Sequence, residues 1–511
     1  MAQNEWLDIG GSEEVPENQP VARALDSGDT VLLYRHDGTL RAWSDACPHI
    51  GCNISKGPVY GSTAVCPCHN ARFDLTNGRA LCAPSLDDLP SYDVKEKDGR
   101  IMIGEPREQP IIRPQGSDDR TFLVAGGGAA GGAAVEQLRR EGFAGRIVMI
   151  TPEPHYPYDR TMLSKMYLYS DMSIDDVIIR QRDFYERLGV EVWKGYRVVR
   201  VEEDPPAVIL DNDSRVQADA LLLATGARPR TLPVEGAHVP GVNLLRTPED
   251  ANRIRSEAVE SKNVVVVGGS FIGTEVAAAL RQMNLNVRLV AMEETPLESV
   301  FGSAVGTRFA ELHESHGVHL HMGTRVTRIN GAKRVERVDL EDGTSLPADL
   351  VVLGVGVDPV VDYLDATSLV RNGAVPVNRH LESGVKGIFA AGDIADVGDG
   401  TQRVRVEHWV AAQRQGQHAA RSMLGNTDPL PYAPFFWTMQ YETPFVFIGY
   451  APDYDEIRFR GDVVAGDFLA GYFKGGSLAA VAAMGRTGEA VSFGRRLDRA
   501  DKIAPDAFDA A

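Results

Sequence analysis

Two short segments near the start of the chain combine cysteine with histidine. The first holds Cys47 and His49 in the spacing C-x-H, and the second holds Cys66 and His69 in the spacing C-x-x-H. Thiolate sulfur and imidazole nitrogen both bind transition metals, and the proline and glycine in these segments favour tight loops. The four residues predict a metal centre, chiefly an iron–sulfur cluster with mixed ligands. Structural zinc is the alternative, although zinc fingers pair their cysteines and histidines on separate elements.

A glycine-rich turn at residues 126–131 follows an apolar strand and precedes a helical pattern. Gly126, Gly128 and Gly131 occupy the positions of the G-x-G-x-x-G motif. Such a turn lets a pyrophosphate approach the backbone at the N-terminus of the helix, where free N–H groups favour an anion. Glu153, just beyond the next predicted strand, is a candidate partner for ribose hydroxyls. This unit therefore predicts a first dinucleotide site.

A second strand–turn–helix unit repeats the pattern, with Gly268, Ser270 and Gly273 at the motif positions. Ala291 stands where an acid usually binds the adenosine ribose, but Glu293 and a further glutamate follow it. These carboxylates would repel the 2′-phosphate of NADPH, and no basic residue in the loop would hold it. The unit predicts a nicotinamide coenzyme site that prefers NADH.

Further motifs lie between and after these two units. Gly392 and Asp393 follow a short apolar strand, and a carboxylate there can accept hydrogen bonds from ribityl hydroxyls. The alternative for Asp393 is the N-cap of a helix. Four more residues are predicted to belong to the flavin site. They lie near the end of the first part of the predicted FAD-binding domain and are Ala224, Thr225, Gly226 and Arg228.

Together these motifs resemble a known family. The cysteine–histidine segments are similar to Rieske domains, and the chain from about residue 119 onward is similar to flavoproteins of the ferredoxin-reductase and apoptosis-inducing-factor group. The complete order resembles the apoptosis-inducing-factor-like fusions of a Rieske domain with an FAD-binding flavoprotein. The resemblance implies that the two cysteines bind one iron of a [2Fe–2S] cluster and the two histidines the other.

The resemblance also bears on the surroundings of the cluster. In high-potential relatives, the positions of Cys52 and Cys68 form a disulfide that links the two loops, and we expect this bond here although a reducing cytosol opposes it. Ala71 and Phe73 replace a serine and a tyrosine whose hydroxyls donate to cluster sulfurs in those relatives. We therefore expect a low potential, about −150 mV.

The most specific motif of the flavoprotein part covers residues 157–165. By the resemblance, Arg160 and Lys165 face FAD, and Glu275 lies near the nicotinamide and pairs with Lys165, so that Lys165 and Glu275 are the candidate catalytic residues. Alternatively, Glu275 is a buried acid without a role in hydride transfer. The resemblance places four more residues at the flavin: Glu407, His408, Trp409 and Trp437.

The predicted fold class is multidomain. A small all-β domain is followed by an α/β flavoprotein with two dinucleotide-binding domains and by a C-terminal α+β domain. The predicted boundaries are 1–105 for the Rieske domain, 106–119 for a linker, 120–240 and 366–428 for the two parts of the FAD-binding domain, 241–365 for the NAD-binding domain, and 429–511 for the C-terminal reductase domain.

Composition narrows the function. The net charge of −18 argues against nucleic-acid binding. The acidic, polar N-terminal residues resemble neither a signal peptide nor a twin-arginine leader, and no apolar run is long enough to cross a bilayer, which favours the cytoplasm. All five cysteines lie at positions 47–82, so the thiol chemistry of related disulfide reductases is excluded.

We expect an oxidoreductase that passes electrons from NADH through FAD and the cluster to a protein such as an oxygenase component. Alternatives are an NADH oxidase, a quinone or small-molecule reductase, or a redox sensor. We also consider a homodimer formed through the C-terminal domain.

Overall fold

The computed structural model describes residues 6–107, 112, 116–400, 402–431 and 433–510. Within these residues the predicted multidomain architecture is confirmed. None of the helices in this described part of the chain has both the length and the apolar character needed to cross a bilayer. Five short 3₁₀ turns accompany the helices and strands within the described residues, at Ser12–Glu14, Ile54–Lys56, Arg160–Met162, Ile174–Asp176 and Asp362–Leu364.

The first domain consists of antiparallel strands. The strands are β1 (Leu7–Gly11), β2 (Val21–Ala24), β3 (Thr30–His36), β4 (Thr39–Ser44), β5 (Val59–Tyr60), β6 (Thr63–Val65), β7 (Arg72–Asp74), β8 (Ala80–Cys82), β9 (Tyr92–Lys97) and β10 (Arg100–Pro106). Over residues 6–107 they form three small sheets in the orders β1-β10-β9, β2-β3-β4 and β5-β6-β7-β8. The two cysteine–histidine loops leave β4 and β6, and Cys47 and Cys66 belong to the same apolar core as Trp43 and Phe73.

Strand β10 ends at Pro106, the first residue of the linker predicted over residues 106–119. Residues 108–111 and 113–115 of that linker lie outside the described residues.

The first α/β unit contains β11 (Thr121–Ala125), α1 (Ala129–Arg140), β12 (Arg146–Thr151), α2 (Met166–Tyr169), α3 (Arg182–Leu188), β13 (Val190–Lys194), β14 (Val198–Glu203), β15 (Pro206–Leu210), β16 (Arg215–Gln217), β17 (Ala220–Leu223) and β18 (Ala227–Pro229). The strands β13, β12, β11 and β17 are parallel, and β11 and β17 are buried on both faces. Continuous apolar runs suit such fully covered strands. Strands β14 to β16 form a separate antiparallel sheet.

The second α/β unit contains β19 (Val242–Leu244), α4 (Pro248–Glu260), β20 (Asn263–Val267), α5 (Phe271–Gln282), β21 (Asn286–Val290), α6 (Glu298–Phe301), α7 (Ser303–Ser315), β22 (His319–His321), β23 (Val326–Asn330), β24 (Arg337–Leu340), β25 (Ser345–Pro347), β26 (Leu350–Leu353) and β27 (Val357–Pro359). Its parallel sheet has the order β19-β26-β20-β21-β22. The glycine-rich turn before α5 therefore stands at the carboxyl end of a central strand, where ligands of such sheets bind.

The chain then returns to the first unit. It adds β28 (Val375–Val377), β29 (Ile388–Ala390), β30 (Ala395–Asp399), β31 (Gln402–Val404) and α8 (Trp409–Met423). Strand β29 completes the first parallel sheet beside β17, and α8 packs along α1. The two helices pack so closely at Gly416 of α8 that a Cβ there would lie 2.0 Å from the carbonyl oxygen of Ala130 in α1.

In its described residues, 433–510, the last domain contains β32 (Phe435–Gln440), β33 (Thr443–Gly449), β34 (Glu456–Asp462), β35 (Asp467–Lys474), β36 (Ser477–Met484), α9 (Thr487–Asp498) and α10 (Pro505–Asp509). The strands form an antiparallel sheet in the order β32-β33-β36-β35-β34. The apolar core of this domain extends into the first domain, since Val65 of β6 packs in the same buried cluster as Phe435 and Ile448. The small all-β domain is therefore docked on the rest of the molecule.

Candidate functional site

The two cysteine–histidine loops have similar backbones and face each other. In the first, the N–H of Cys47 donates to the carbonyl of Cys52 at 2.8 Å, and in the second the N–H of Cys66 donates to the carbonyl of Ala71 at 2.8 Å. The rings of His49 and His69 are perpendicular, with their centroids 4.9 Å apart. The structure thus brings all four predicted ligands to one place.

The donor atoms at this place fit a metal cluster. Within the described part of the chain, the Nδ1 atoms of His49 and His69 are buried and have no hydrogen-bond partner. Burial and the nearby His49 lower the pKa of His69 to about 3, so its imidazole is neutral, as a metal ligand must be. A hydrogen bond from the Cys47 thiol, with N–H donors of Cys68 and His69, lowers the pKa of Cys66 to about 7. Thiolate therefore forms readily at one of the two buried sulfurs.

A disulfide joins the two loops. Cys52 and Cys68 are bonded with their sulfurs 2.05 Å apart, as expected, and the Sγ atoms of Cys52, Cys66 and Cys68 all lie within 4.8 Å of one another. The bond covers the same end of the domain as the candidate ligands and holds the two loops together.

A cavity of about 750 Å³ runs between the two α/β units and the C-terminal domain. Most residues predicted for the flavin and nicotinamide sites line it. These are Gly126, Gly128, Glu153, Arg160, Lys165, Ala224, Thr225, Gly226, Arg228, Ser270, Glu275, Gly392, Asp393, Glu407, His408, Trp409 and Trp437. The cavity is large enough for a dinucleotide and joins the two glycine-rich turns.

Four predicted residues are not among those that line the cavity: Gly131, Gly268, Gly273 and Glu293. The glycines permit close packing of helix on turn. A Cβ on Gly131 would lie 1.9 Å from the carbonyl oxygen of Gly126, and a Cβ on Gly273 would lie 1.9 Å from that of Gly268. Both turns therefore have the backbone cradle that a pyrophosphate requires.

Glu293 stands beside the second glycine-rich turn. Its Oε2 atom is 3.6 Å from the position that a Cβ on Gly269 would occupy, and the methyl group of Ala291 is close to the same point. Glu293 is half-buried there, so a carboxylate is available although the usual acidic position is alanine.

Glu153 and Arg160 form an ion pair at the first turn. Arg160 Nη2 donates to Glu153 Oε1 at 2.8 Å, and the Tyr158 hydroxyl donates to Glu153 Oε2 at 2.6 Å. Arg228 lies nearer the rim, where its guanidinium is about half exposed and pairs with Asp362. Thr225 donates to the carbonyl of Val360 at 2.8 Å and so connects the two units.

Sequence reasoning missed Arg246. Its Nη2 atom lies 3.3 Å from Asp393 Oδ2, and it lines the cavity beside Arg160. Burial and the neighbouring Arg160 lower the pKa of Arg246, as expected for a buried cation beside a second cation. No local sequence signal marks Arg246, because its partner Asp393 is far away in the chain.

The alternative role for Asp393 is wrong. No helix follows it in the described residues, because the chain turns directly into β30. The peptide N–H of the preceding Gly392 instead donates to Gln415 Oε1 of α8 at 2.7 Å.

Lys165 and Glu275 form the predicted pair, buried at the centre of the cavity. Lys165 Nζ lies 2.8 Å from Glu275 Oε1, which also accepts from Thr438 Oγ1 at 2.6 Å, and Ser164 Oγ donates to Glu275 Oε2. Such complete hydrogen bonding is what allows a charge to be kept in a buried position. The pair therefore presents a fixed ammonium and a fixed carboxylate.

The start of α8 closes one end of the cavity. Glu407 is exposed and pairs with Arg405, whereas the ring of His408 packs against Phe271 and Phe436, with centroid distances of 6.2 and 4.8 Å. Burial lowers the pKa of His408 to about 4, so its imidazole is neutral near pH 7. Trp409 follows as the first residue of the helix.

The ring of Trp437 lies between the two candidate centres. Its centroid is 4.7 Å from that of His69 in the first domain and 5.1 Å from Lys165 Nζ, while Trp437 itself lines the large cavity. Docking of the all-β domain thus brings the metal-binding loops against the wall of the dinucleotide cavity.

Three family models match the chain. They are pyridine nucleotide-disulphide oxidoreductase over residues 120–416, Rieske [2Fe-2S] domain over residues 5–93, and reductase C-terminal over residues 435–510. The first two carry the cofactors FAD, NAD(H) and a [2Fe–2S] cluster, which agrees with the cradles and donor atoms described above. The Rieske match also favours the iron–sulfur cluster over zinc.

The chain is similar to known proteins along most of its length. Apoptosis-inducing factor 3 of Homo sapiens is 33% identical over 473 residues, which cover 89% of this chain and 78% of that protein. The ferredoxin--NAD(+) reductase component of the p-cumate 2,3-dioxygenase system of Pseudomonas putida is 33% identical over 64% of this chain and 80% of its own length.

A solved structure shows the same fold for the flavoprotein part. The ferredoxin reductase for the CYP199A2 system from Rhodopseudomonas palustris superposes with a TM-score of 0.73 and 32% identity, and covers 76% of this chain and 96% of its own. The chain therefore belongs to the pyridine nucleotide-disulphide oxidoreductase family and carries a Rieske [2Fe-2S] domain in front of the flavoprotein.

Proposed function

We propose that this protein carries electrons from NADH to an acceptor protein and thus acts as a ferredoxin--NAD(+) reductase with its own Rieske domain. One observation supports this most. His69, a candidate ligand of the cluster, contacts Trp437, and Trp437 lines the dinucleotide cavity. A redox group held by the Rieske loops is thereby close to one held in the cavity.

When bound, FAD would supply the acceptance of a hydride from a nicotinamide and the release of single electrons, and the cluster would supply one-electron transfer. We assign the cluster to Cys47, Cys66, His49 and His69. For FAD we assign the first glycine-rich turn with Glu153, Arg160, Arg246 and Asp393, as well as the start of α8. Arg160 and Arg246 provide the positive charge that a pyrophosphate needs.

The roles of Lys165 and Glu275 follow from their fixed charges. We assign Glu275 to orient the carboxamide and ring of the nicotinamide, and Lys165 to hold Glu275 in place while its ammonium faces the flavin site. Every oxygen of Glu275 already accepts a hydrogen bond, so the residue acts by position and charge and not as a proton acceptor.

The coenzyme is NADH in this proposal. Glu293 offers an acceptor for ribose hydroxyls beside the second glycine-rich turn and would repel a 2′-phosphate. The acceptor of electrons is a protein such as an oxygenase component, because a similar chain is the reductase component of a dioxygenase system. A homodimer through the C-terminal domain stays a prediction that light scattering of the holoprotein would test.

Rapid mixing of the oxidised holoprotein with NADH under anaerobic conditions tests the proposal. The flavin absorbance should bleach first, and the cluster should then become reduced within the time of one catalytic turnover with an acceptor protein. A cluster that NADH does not reduce would refute the proposal. Turnover with oxygen or a quinone alone, and with no protein acceptor, would favour the oxidase or small-molecule reductase instead.

A further inference from the structure

A buried arginine of the flavoprotein holds the loop that carries His69. Arg414 lies on α8 and is only 2% exposed. Its Nη2 atom donates to the carbonyl oxygen of Asn70 at 2.6 Å, and its Nε atom donates to that of Ala83 at 2.9 Å. Asn70 is the residue next to His69, so this guanidinium is bonded directly to the backbone of the cluster loop.

The same helix also contacts the flavin side of the molecule. Gln415, next to Arg414 in sequence, accepts the N–H of Gly392 at 2.7 Å, and Trp409 at the start of the helix lines the cavity. Neighbouring residues of α8 therefore hold the turn that contains Asp393 and the loop that contains His69. A rigid helix between two sites fixes the distance between them.

Two further bonds fix the orientation of the Rieske domain. Gln417 of α8 accepts the N–H of Ala83 at 2.9 Å. On the other side, Arg72 forms an ion pair with Asp498 of α9, with side-chain exposures of 3% and 2%, and Asp498 also accepts the N–H of Ala433 at 2.8 Å. These contacts lie on different elements, so the domain can neither slide nor rotate without breaking one of them.

Contacts of this kind fix the relative position of the two domains more than they stabilise the association between them. A buried ion pair adds little net stability, because desolvation of the charges offsets their attraction, but it accepts few alternative arrangements. The planar guanidinium of Arg414 donates to two carbonyls in fixed directions, which a lysine cannot do. The interface is therefore built to keep one relative position of the two domains.

We infer that Arg414 is a positioning residue for electron transfer, and that it holds His69 against Trp437 so that transfer occurs in the docked state without movement of the Rieske domain. The inference rests on the proposed function. Electron transfer slows steeply as the distance between donor and acceptor grows, so a small displacement of the loop at Asn70 should slow it strongly.

Stopped-flow measurements on the holoprotein test this with three variants. Arg414→Gln removes both the charge and the planar guanidinium, and Arg414→Lys keeps the charge but donates to fewer carbonyls. Arg139→Gln is the matched control, because Arg139 is also buried and donates only to carbonyls within the flavoprotein, those of Leu188, Phe143, Gly145 and Gly189. Flavin reduction by NADH and cluster reduction are followed at separate wavelengths.

We expect flavin reduction at the wild-type rate in all three variants. Cluster reduction should slow at least about tenfold in Arg414→Gln, less in Arg414→Lys, and not at all in Arg139→Gln. Equal rates of cluster reduction in Arg414→Gln and the wild type would overturn the inference. If instead the wild-type cluster is never reduced by NADH, the proposed function itself fails.

A second measurement needs no variant and applies even if Arg414→Gln does not fold. Small-angle X-ray scattering of the wild-type holoprotein should give the same radius of gyration before and after reduction with NADH. An increase on reduction would show that the Rieske domain leaves the flavoprotein, and would overturn the inference.

Discussion

The carboxylate of Glu275 is buried and contacts Lys165, Ser164 and Thr438. Changing Glu275→Ala removes the carboxylate that is assigned to orient the nicotinamide. It also leaves the ammonium of Lys165 buried without its ion-pair partner. We expect hydride transfer from NADH to slow by about 10²-fold or more, while the cluster still assembles. Stopped-flow flavin absorbance gives the rate, and the visible spectrum reports the cluster.

Thr438→Val is the milder comparison variant, because it removes one hydrogen-bond donor to Glu275 and keeps the shape of the side chain. It should slow hydride transfer less than Glu275→Ala does. Normal hydride transfer in Glu275→Ala would mean that the acid is only a satisfied core residue.

Glu293 is the residue expected to decide the preference between NADH and NADPH. The carboxylate stands beside the second glycine-rich turn, where the adenosine ribose binds in this fold. We expect kcat/KM to favour NADH over NADPH by at least about tenfold, or roughly 1.4 kcal/mol. Glu293→Gln should reduce that ratio by weakening the repulsion of the 2′-phosphate. Equal kcat/KM values for the two coenzymes in the wild type would contradict this assignment.

The cluster potential depends on two apolar side chains. Ala71 and Phe73 are fully buried near the cluster loops. Because neither side chain has a hydroxyl, neither can donate a hydrogen bond to a cluster sulfur. Hydrogen bonds to sulfur stabilise the reduced state, and we therefore expect a potential near the low end of the Rieske range, about −150 mV. The double variant Ala71→Ser with Phe73→Tyr should have a higher potential. Protein-film voltammetry measures both, and a clearly positive wild-type value would refute the argument.

At the scale of elements, α7 and β32 meet at a buried histidine. His313 Nε2 lies 2.8 Å from Gln440 Oε1, and Gln440 Nε2 donates to Thr274 of α5. Burial lowers the pKa of His313 from 6.5 to about 4, so the folded protein keeps it neutral while the unfolded chain takes up a proton. The stability that this imidazole contributes is complete above pH 6.5 and is lost as the pH falls toward 4.

The expected loss from this one group is about 2 kcal/mol between pH 7.5 and pH 5. Urea unfolding of the holoprotein at the two pH values measures it. His313→Gln can still donate to Gln440 and should lose less stability over that interval, whereas His319→Gln, at an exposed position, should behave like the wild type. The same loss in wild type and His313→Gln would show that other groups cause the acid sensitivity.

Some elements of the site can be read from sequence and others cannot. The glycine-rich turns are readable, because close packing at Gly131 and Gly273 demands glycine at fixed spacing. Arg246 and Thr438 were missed, because their roles depend on chain segments that meet only in the folded protein. The possible N-cap role of Asp393 was wrong for a related reason: the residue after a buried strand can enter a helix or a strand, and local sequence does not distinguish the two.

At the scale of the whole molecule, the sequence predicted the order of the domains but not how they dock. A linker rich in proline, glycine and charge is compatible with a fixed or a mobile Rieske domain. The docking contacts pair residues far apart in the chain, such as Arg72 with Asp498 and Arg414 with Asn70, and no local pattern marks them. The docked position is nevertheless what makes a path from NADH to the cluster physically short.

The most direct test of that path replaces one imidazole ligand of the cluster with a thiolate, which lowers the cluster potential, and follows electrons from NADH to the acceptor protein. Changing His69→Cys should leave FAD bound and its reduction by NADH at the normal rate, because the flavin site lies in a separate part of the chain. Steady-state delivery to the acceptor, measured with the same preparation, should fall to the background level. Delivery at the wild-type rate would contradict the account, since electrons would then leave the protein directly from the flavin.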